Sequence, residues 1–170
     1  MPFVCQICSE KPLFDVASDG DRHSTSHLIG HDPEAETLYF IVAELQKNHK
    51  YDDWAYRFYI AARHVPTGST TAIIDSSEAH RLFSHVERRI IAAVIAFATV
   101  ELLKLVKPNR VTRCILLQGV PDHATQRALE KHYIVSWAFE QAGYQVTMFD
   151  QYDGGRIWIA KLRPETGDEI

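Results

Sequence analysis

The chain has 170 residues, with 18 Lys and Arg against 22 Asp and Glu (formal net charge −4), 46% hydrophobic and 11% aromatic residues, and three cysteines. A chain this long buries roughly 70% of its unfolded surface, so wholesale disorder and a disulfide-held scaffold are both excluded. Its acidity argues against a protein that holds nucleic acid mainly by non-specific charge, while leaving room for a local basic face.

Residues 1–31 are polar and rich in Ser, Asp and His, with little periodicity. From Asp32 onward the chain is well patterned. No apolar run approaches the roughly 18 residues that span a bilayer, and the first 25 residues lack the basic, apolar, small-residue order of a leader. The expectation is a soluble cytoplasmic protein that engages no membrane. It has two parts, an N-terminal lobe over 1–31 and a core domain over 32–170.

Asp32 as cap, Pro33 in the first turn and Glu34 and Glu36 near the positive end of the dipole predict a helix over 33–48. Leu38, Ile41, Val42 and Leu45 share its apolar face. Alternation through DWAYRFYIAARH, a VPTGS turn and TTAIID predict a β-hairpin. Ser84 and Glu87 are spaced as a capping box. The following run IIAAVIAFATVELLKLV (Ile90–Val106) is apolar on nearly every side and stops at Pro108, which predicts a buried central helix. A strand over Val111–Gln118 follows. Asp122 then caps a helix that runs to Ala142 and ends at Gly143. YQVTMFD and RIWIAKL close the chain as a hairpin across Asp153–Gly154–Gly155. The predicted fold is α+β, a mixed and mostly antiparallel sheet around the central helix, with a small N-terminal lobe.

Cys5 and Cys8 are spaced C-x2-C, and His23 and His27 are spaced H-x3-H, with 14 residues between the pairs. Zinc takes four such ligands in a tetrahedron, and two histidines four apart meet on one helical face. Residues 3–27 resemble a C2H2 zinc finger, with Phe3 and Phe14 near the positions of its packing aromatics. The resemblance implies a structural zinc bound by Cys5, Cys8, His23 and His27, supplying the folding energy of a segment too small and polar to fold alone. His31 continues the spacing and can replace either His. The chain departs from a finger at Gly20, where a large aliphatic residue is usual. With only Lys11 and Arg22 as cations, the segment also lacks a DNA-reading set.

Residues 111–162 are similar in order to the C-terminal half of the GCN5-related N-acetyltransferases. The order is strand, then a helix with the flavour of ALEKHYIVSWAFEQAGY, then a final strand pair. That resemblance implies an acyl-CoA-dependent enzyme whose coenzyme pyrophosphate sits on a Gly-rich loop opening the preceding helix. Here that stretch is Arg88-Arg89-Ile90-Ile91-Ala92-Ala93, without glycine.

Arg81, Arg88 and Arg89, beside Glu78, His80, His85 and Glu87, form a candidate anion-binding face at a helix start. Asp122 and His123 follow a strand end, where α/β sites gather, although capping explains Asp122 more simply. No nucleophile elbow, P-loop or H-E-x-x-H occurs, and no residue receives a catalytic role. The sequence therefore points to a zinc-stabilised binding or regulatory module for a protein or other macromolecular partner. The alternative is the acyltransferase-like enzyme, and the apolar central helix is compatible with a homodimer.

Overall fold

A computed structural model describes residues 3–6, 14–73, 81–115, 126–150 and 156–164. Its elements, in chain order, are β1 (Val4–Cys5), β2 (Asp15–Asp19), β3 (Arg22–Asp32), β4 (Thr37–Asn48), β5 (Asp53–His64), β6 (Thr70–Ile73), α1 (His85–Val106), β7 (Arg110–Ile115), α2 (Gln126–Gln141), β8 (Tyr144–Asp150) and β9 (Arg156–Leu162). The strands make one sheet in the order β1-β3-β4-β5-β7-β9-β8, with β2 also paired to β3 and β6 to β5. Every pairing is antiparallel except the short parallel join of β5 to β7. The α+β class with a mostly antiparallel sheet follows.

The helix predicted over 33–48 is instead a turn and the strand β4. Leu38, Ile41, Val42 and Leu45 satisfy a helical period, but Tyr39, Ile41, Ala43 and Leu45 satisfy a period of two and are the residues buried. Long ladders to β3 on one side and β5 on the other hold the extended form. Non-local pairing outweighs the local helix signal here. Asp32 still caps: its Oδ1 accepts from the N–H of Glu34 at 2.9 Å and of Ala35 at 3.0 Å. The capping chemistry closes a β3–β4 turn rather than opening a helix.

The predicted β5–β6 hairpin forms, with Gly68 at φ 66° in its turn. α1 starts on the predicted capping box: the Ser84 hydroxyl accepts from the Glu87 N–H, and the Glu87 carboxylate accepts from the Ser84 N–H. It ends at Lys107, in the left-handed conformation, just before Pro108. The closing hairpin of β8 and β9 also forms, and Gly143 at φ 91° separates it from α2. The Asp122 cap, the Asp153–Gly155 turn and the last part of the strand predicted over 111–118 lie outside the described residues.

α1 lies across β3 and β4, packs beside α2, and α2 packs on β8, so both helices occupy one face of the sheet. Ile91, Val94, Ile95, Ala98 and Leu102 of α1 join Tyr39, Ile41, Ala43, Leu45 and Tyr56 in the core. Two hydroxyl contacts cross that apolar interface. Thr25 donates to the carbonyl of Ala98 at 3.2 Å. Thr99 donates to the carbonyl of Ile95 at 2.7 Å and meets the Tyr56 hydroxyl at 2.5 Å. At the far end the Tyr144 hydroxyl donates to the carbonyl of Pro108 at 2.8 Å, and burial pushes its pKa up to about 12. α1 is nevertheless not enclosed, as its uniform apolarity predicts: Val86, Ile90, Phe97 and Leu105 are exposed. The sheet covers one side of it only, so a third of its apolar residues, Ala93 with the four just named, are exposed.

Replacement of Thr99 by Val keeps the volume but removes the hydroxyl from an interface that carries few polar contacts. We expect Thr99→Val to lower stability by about 1–2 kcal/mol, measured by chemical denaturation, with the circular dichroism spectrum unchanged.

Candidate functional site

The N-terminal ligand set meets extended backbone, not a finger. His23 and His27 both lie in β3, where four residues span about 13 Å and parallel side chains stay about that far apart. The shared helical face expected of H-x3-H does not occur. The Nδ1 atom of His23 lies 2.8 Å from the Ser18 hydroxyl, and its ring packs on Trp54, while the His27 ring packs on Phe14. Cys5 is in β1, opposite Gly30, and Cys8 lies outside the described residues. The Nδ1 of His31 is buried without a hydrogen-bond partner among the described residues. Those residues contain no group of three or more potential metal ligands.

The segment also docks differently from a separate lobe. β2 and β3 are hydrogen-bonded into the main sheet. Phe3 packs edge-on against Tyr39 and Phe83, at ring separations of 5.6 and 4.8 Å. Gly30 makes room for it. A Cβ at position 30 would stand 2.4 Å from both the Phe3 ring and the Val4 carbonyl.

Of the candidate anion site, Arg81 and Arg89 are exposed, and Arg88 turns back to donate to the Phe83 carbonyl at 2.8 Å. Glu78 and His80 lie outside the described residues, as do Asp122 and His123. The capping box supplies this helix start with its own anion, since the Glu87 carboxylate already sits on the N-cap N–H. The positive end of the α1 dipole is thus partly neutralised before any ligand arrives.

The parallel join of β5 and β7 is limited to Trp54 with Val111 and Ala55 with Thr112. Farther along, β6 pairs with Ile60–Arg63 of β5. Asp53, buried beside this join, accepts from the Thr112 hydroxyl at 2.7 Å and lies 4.0 Å from Arg110. An open cleft of about 260 Å³ adjoins it, lined by Lys47, Asp52, Trp54, Lys107, Asn109 and Arg110, among others. Lys47 donates to Asp52 at 2.6 Å, and that hydrogen bond, with the Lys47 charge, holds the carboxyl below the usual range.

The sheet face opposite the helices carries a cluster that sequence reasoning missed. Glu44 of β4 is fully buried, although no described helix covers this face. Arg22 of β3 reaches one carboxylate oxygen at 2.5 Å. Arg57 of β5 reaches the other through Nε at 2.7 Å and Nη2 at 2.5 Å. The hydrogen bond and charge of Glu44 raise the Arg22 pKa further. Register places Asp19 beside Arg22, and Asp15 four residues away along β2, beside Ser26. The surroundings are therefore mixed in sign, and the cluster is a structural clamp across three strands. Its only sequence signal was a charged residue at the outward phase of each strand, which is unreadable before the register is known.

The remaining distinctive surface is the outward side of α1. With 100° per residue, Val86, Ile90, Ala93 and Phe97 fall on one line, and no charge interrupts the helix between Arg89 and Glu101. Val86 is 66% and Phe97 54% exposed. On α2, Tyr133 and Trp137, one turn apart, are also exposed. Surface helices normally present polar residues there.

Neither a family model nor a curated protein matches this chain.

Two measurements check these assignments. Arg57→Ala leaves the buried Glu44 with Arg22 as its remaining guanidinium partner, and we expect a loss of about 2 kcal/mol. Arg63→Ala, on the same face, should change stability by less than about 0.5 kcal/mol. For the metal set, we expect elemental analysis of the purified protein to give well below one zinc per chain, because the strand holds His23 and His27 apart. One zinc per chain, lost in Cys5→Ser, would overturn that expectation.

Proposed function

We propose that the chain is a binding module that docks a protein partner on the helical layer. The single observation that carries this reading is the uncharged outward face of α1 from Ile90 to Val100, with Phe97 at its centre. Exposed apolar surface of this continuity is a cost in water unless a partner covers it. Large aromatics such as Phe97 and Trp137 are the residue types that anchor protein interfaces. The chemistry of the surface selects an apolar protein surface rather than nucleic acid, which needs a dense array of cations.

A second reading is favoured by one specific feature. The C-terminal order, with β9 placed between β7 and β8, fits the expected likeness to the acetyltransferase half, so a coenzyme A-dependent enzyme is the competing function. Against it stand the bulky residues and the self-capping Glu87 at the start of α1, where backbone N–H groups would have to approach a pyrophosphate. β6 also occupies part of the β5 edge beyond the parallel join.

The two readings separate by experiment. A photo-reactive phenylalanine analogue at position 97 should give a discrete crosslinked adduct in cells producing the protein. The same probe at Arg63, on the opposite face, should not. Absence of any adduct at position 97 would remove the binding reading. Coenzyme A should leave the thermal midpoint unchanged, and a saturable rise of several degrees would favour the enzyme.

A further inference from the structure

The geometry points to a second contact surface, the open edge of the sheet at β8, whose occupant is a second copy of this chain. The two β8 strands pair antiparallel about a two-fold axis through Thr147. This surface is separate from α1 and does not rest on the binding reading of that helix. β8 ends the strand order and pairs only with β9 among the described residues, over seven consecutive positions without a register shift.

Sheet edges normally carry a device against pairing, such as a charge, a proline, a bulge or a very short strand. The other outlying strands have one: β2 carries Asp15 and Asp19, β6 has four residues and β1 has two. β8 reads Tyr-Gln-Val-Thr-Met-Phe-Asp, with no proline, no bulge and its one charge at the last residue. Met148 on one face is 42% exposed, and Phe149 on the other is 51% exposed.

The phase of the hydrogen bonds shows what this edge offers. The Arg163 N–H donates to the Gly143 carbonyl at 3.0 Å, which makes residues 143 and 163 a bonded pair of the antiparallel ladder. Bonded and non-bonded pairs alternate, so Gln145, Thr147 and Phe149 direct their backbone groups to β9. Tyr144, Val146, Met148 and Asp150 direct theirs to the open edge. The Leu162 N–H, which donates to the Asn109 carbonyl on the β7 side, obeys the same alternation.

A second β8 presents that alternation in reverse. With Thr147 on the axis, Val146 pairs with Met148 of the other copy and Tyr144 with its Asp150, so every outward N–H and C=O of the strand finds a partner. Moving the axis to Val146 or Met148 leaves outward groups unpaired at one end of each strand. The same register makes the side chains self-complementary, as an isologous contact requires. Val146 and Met148 form apolar pairs on the helical face. On the other face Thr147 meets Thr147 in a non-bonded pair, where side chains come closest, and Phe149 lies opposite Gln145. The two Asp150 positions fall at opposite ends. α2 leaves room for the second strand. Its Val135 and Phe139 line a small cavity with Val111 of β7, Ala160 of β9 and Val146 of β8, so the helix is centred on β9, inside the edge.

The test is light scattering coupled to size exclusion on the full chain, from about 1 μM to about 1 mM, because one strand pair is a small interface. We expect twice the chain mass at the high end and the monomer mass on dilution. Met148→Pro removes an outward donor and no bond to β9, so it should weaken the dimer at least tenfold with an unchanged circular dichroism spectrum. Thr147→Cys places two thiols on the axis with Cα atoms about 4.5 Å apart, within disulfide reach. Mild oxidation should link this variant at least tenfold faster than Phe149→Cys, whose two copies stand about 13 Å apart along the strands. The parent chain, treated identically, gives the background from its own cysteines. A monomer at every concentration would overturn the inference, and so would a dimer in which both cysteine variants link equally. The adduct at position 97 reads a different surface, so this inference and the binding reading of α1 can each fail without the other.

Discussion

The arrangement depends on how α1 is seated on the sheet. Apolar packing alone would let a helix this uniformly hydrophobic roll about its axis with little change in buried area. Two hydroxyl contacts prevent that. Thr25 reaches the Ala98 carbonyl, and Tyr56 meets Thr99, both on the sheet side of the helix. A hydrogen bond left unmade in an apolar interface costs more than the small differences between apolar faces. The rotation of α1 is thereby fixed, and with it the identity of the residues that face outward. Phe97 is exposed because Ala98 and Thr99 are tied down.

The same fixing of α1 shapes the rest of the domain. Its first turn carries its own capping acid, and its last turn ends at the peptide whose carbonyl accepts from Tyr144. The C-terminal hairpin is thus held to the helix end as well as through β7. On the other face the sheet is held by charge, with Glu44 clamped between arginines of both neighbouring strands. The apolar interaction and the ionic one occupy opposite faces, and the helical face carries the exposed apolar line of Val86, Ile90, Ala93 and Phe97.

The N-terminal segment shows how a spacing motif loses its meaning when the backbone changes. Four residues bring two histidines together on a helix but hold them about 13 Å apart on a strand. Asp, Gly, Ser and Thr make residues 19–27 a poor helix former, since the polar side chains compete with helical bonding. What composition did not contain was the partner that makes the segment a strand, namely the outer edge of β4. The glycine that admits Phe3 to the core, Gly30, was equally silent, because its role is a close approach between β1 and β3.

The sequence by itself determined the parts governed by local chemistry. These are the α1 cap at Ser84 and Glu87, the stop before Pro108, the β5–β6 hairpin, the break at Gly143 and the closing strand pair. Each rests on residues within a few positions of one another, where φ preferences and short hydrogen bonds decide. It also made the uncharged run from Ile90 to Val100 visible, but not whether that run was inside. The tertiary structure alone decided the strand character of 37–48, the separation of His23 from His27 and the meeting of Glu44 with its arginines. It alone also decided which side of α1 faces water. Those outcomes depend on register and on which face of each element is covered. Both are set by residues far apart in the chain, so no local pattern could have contained them.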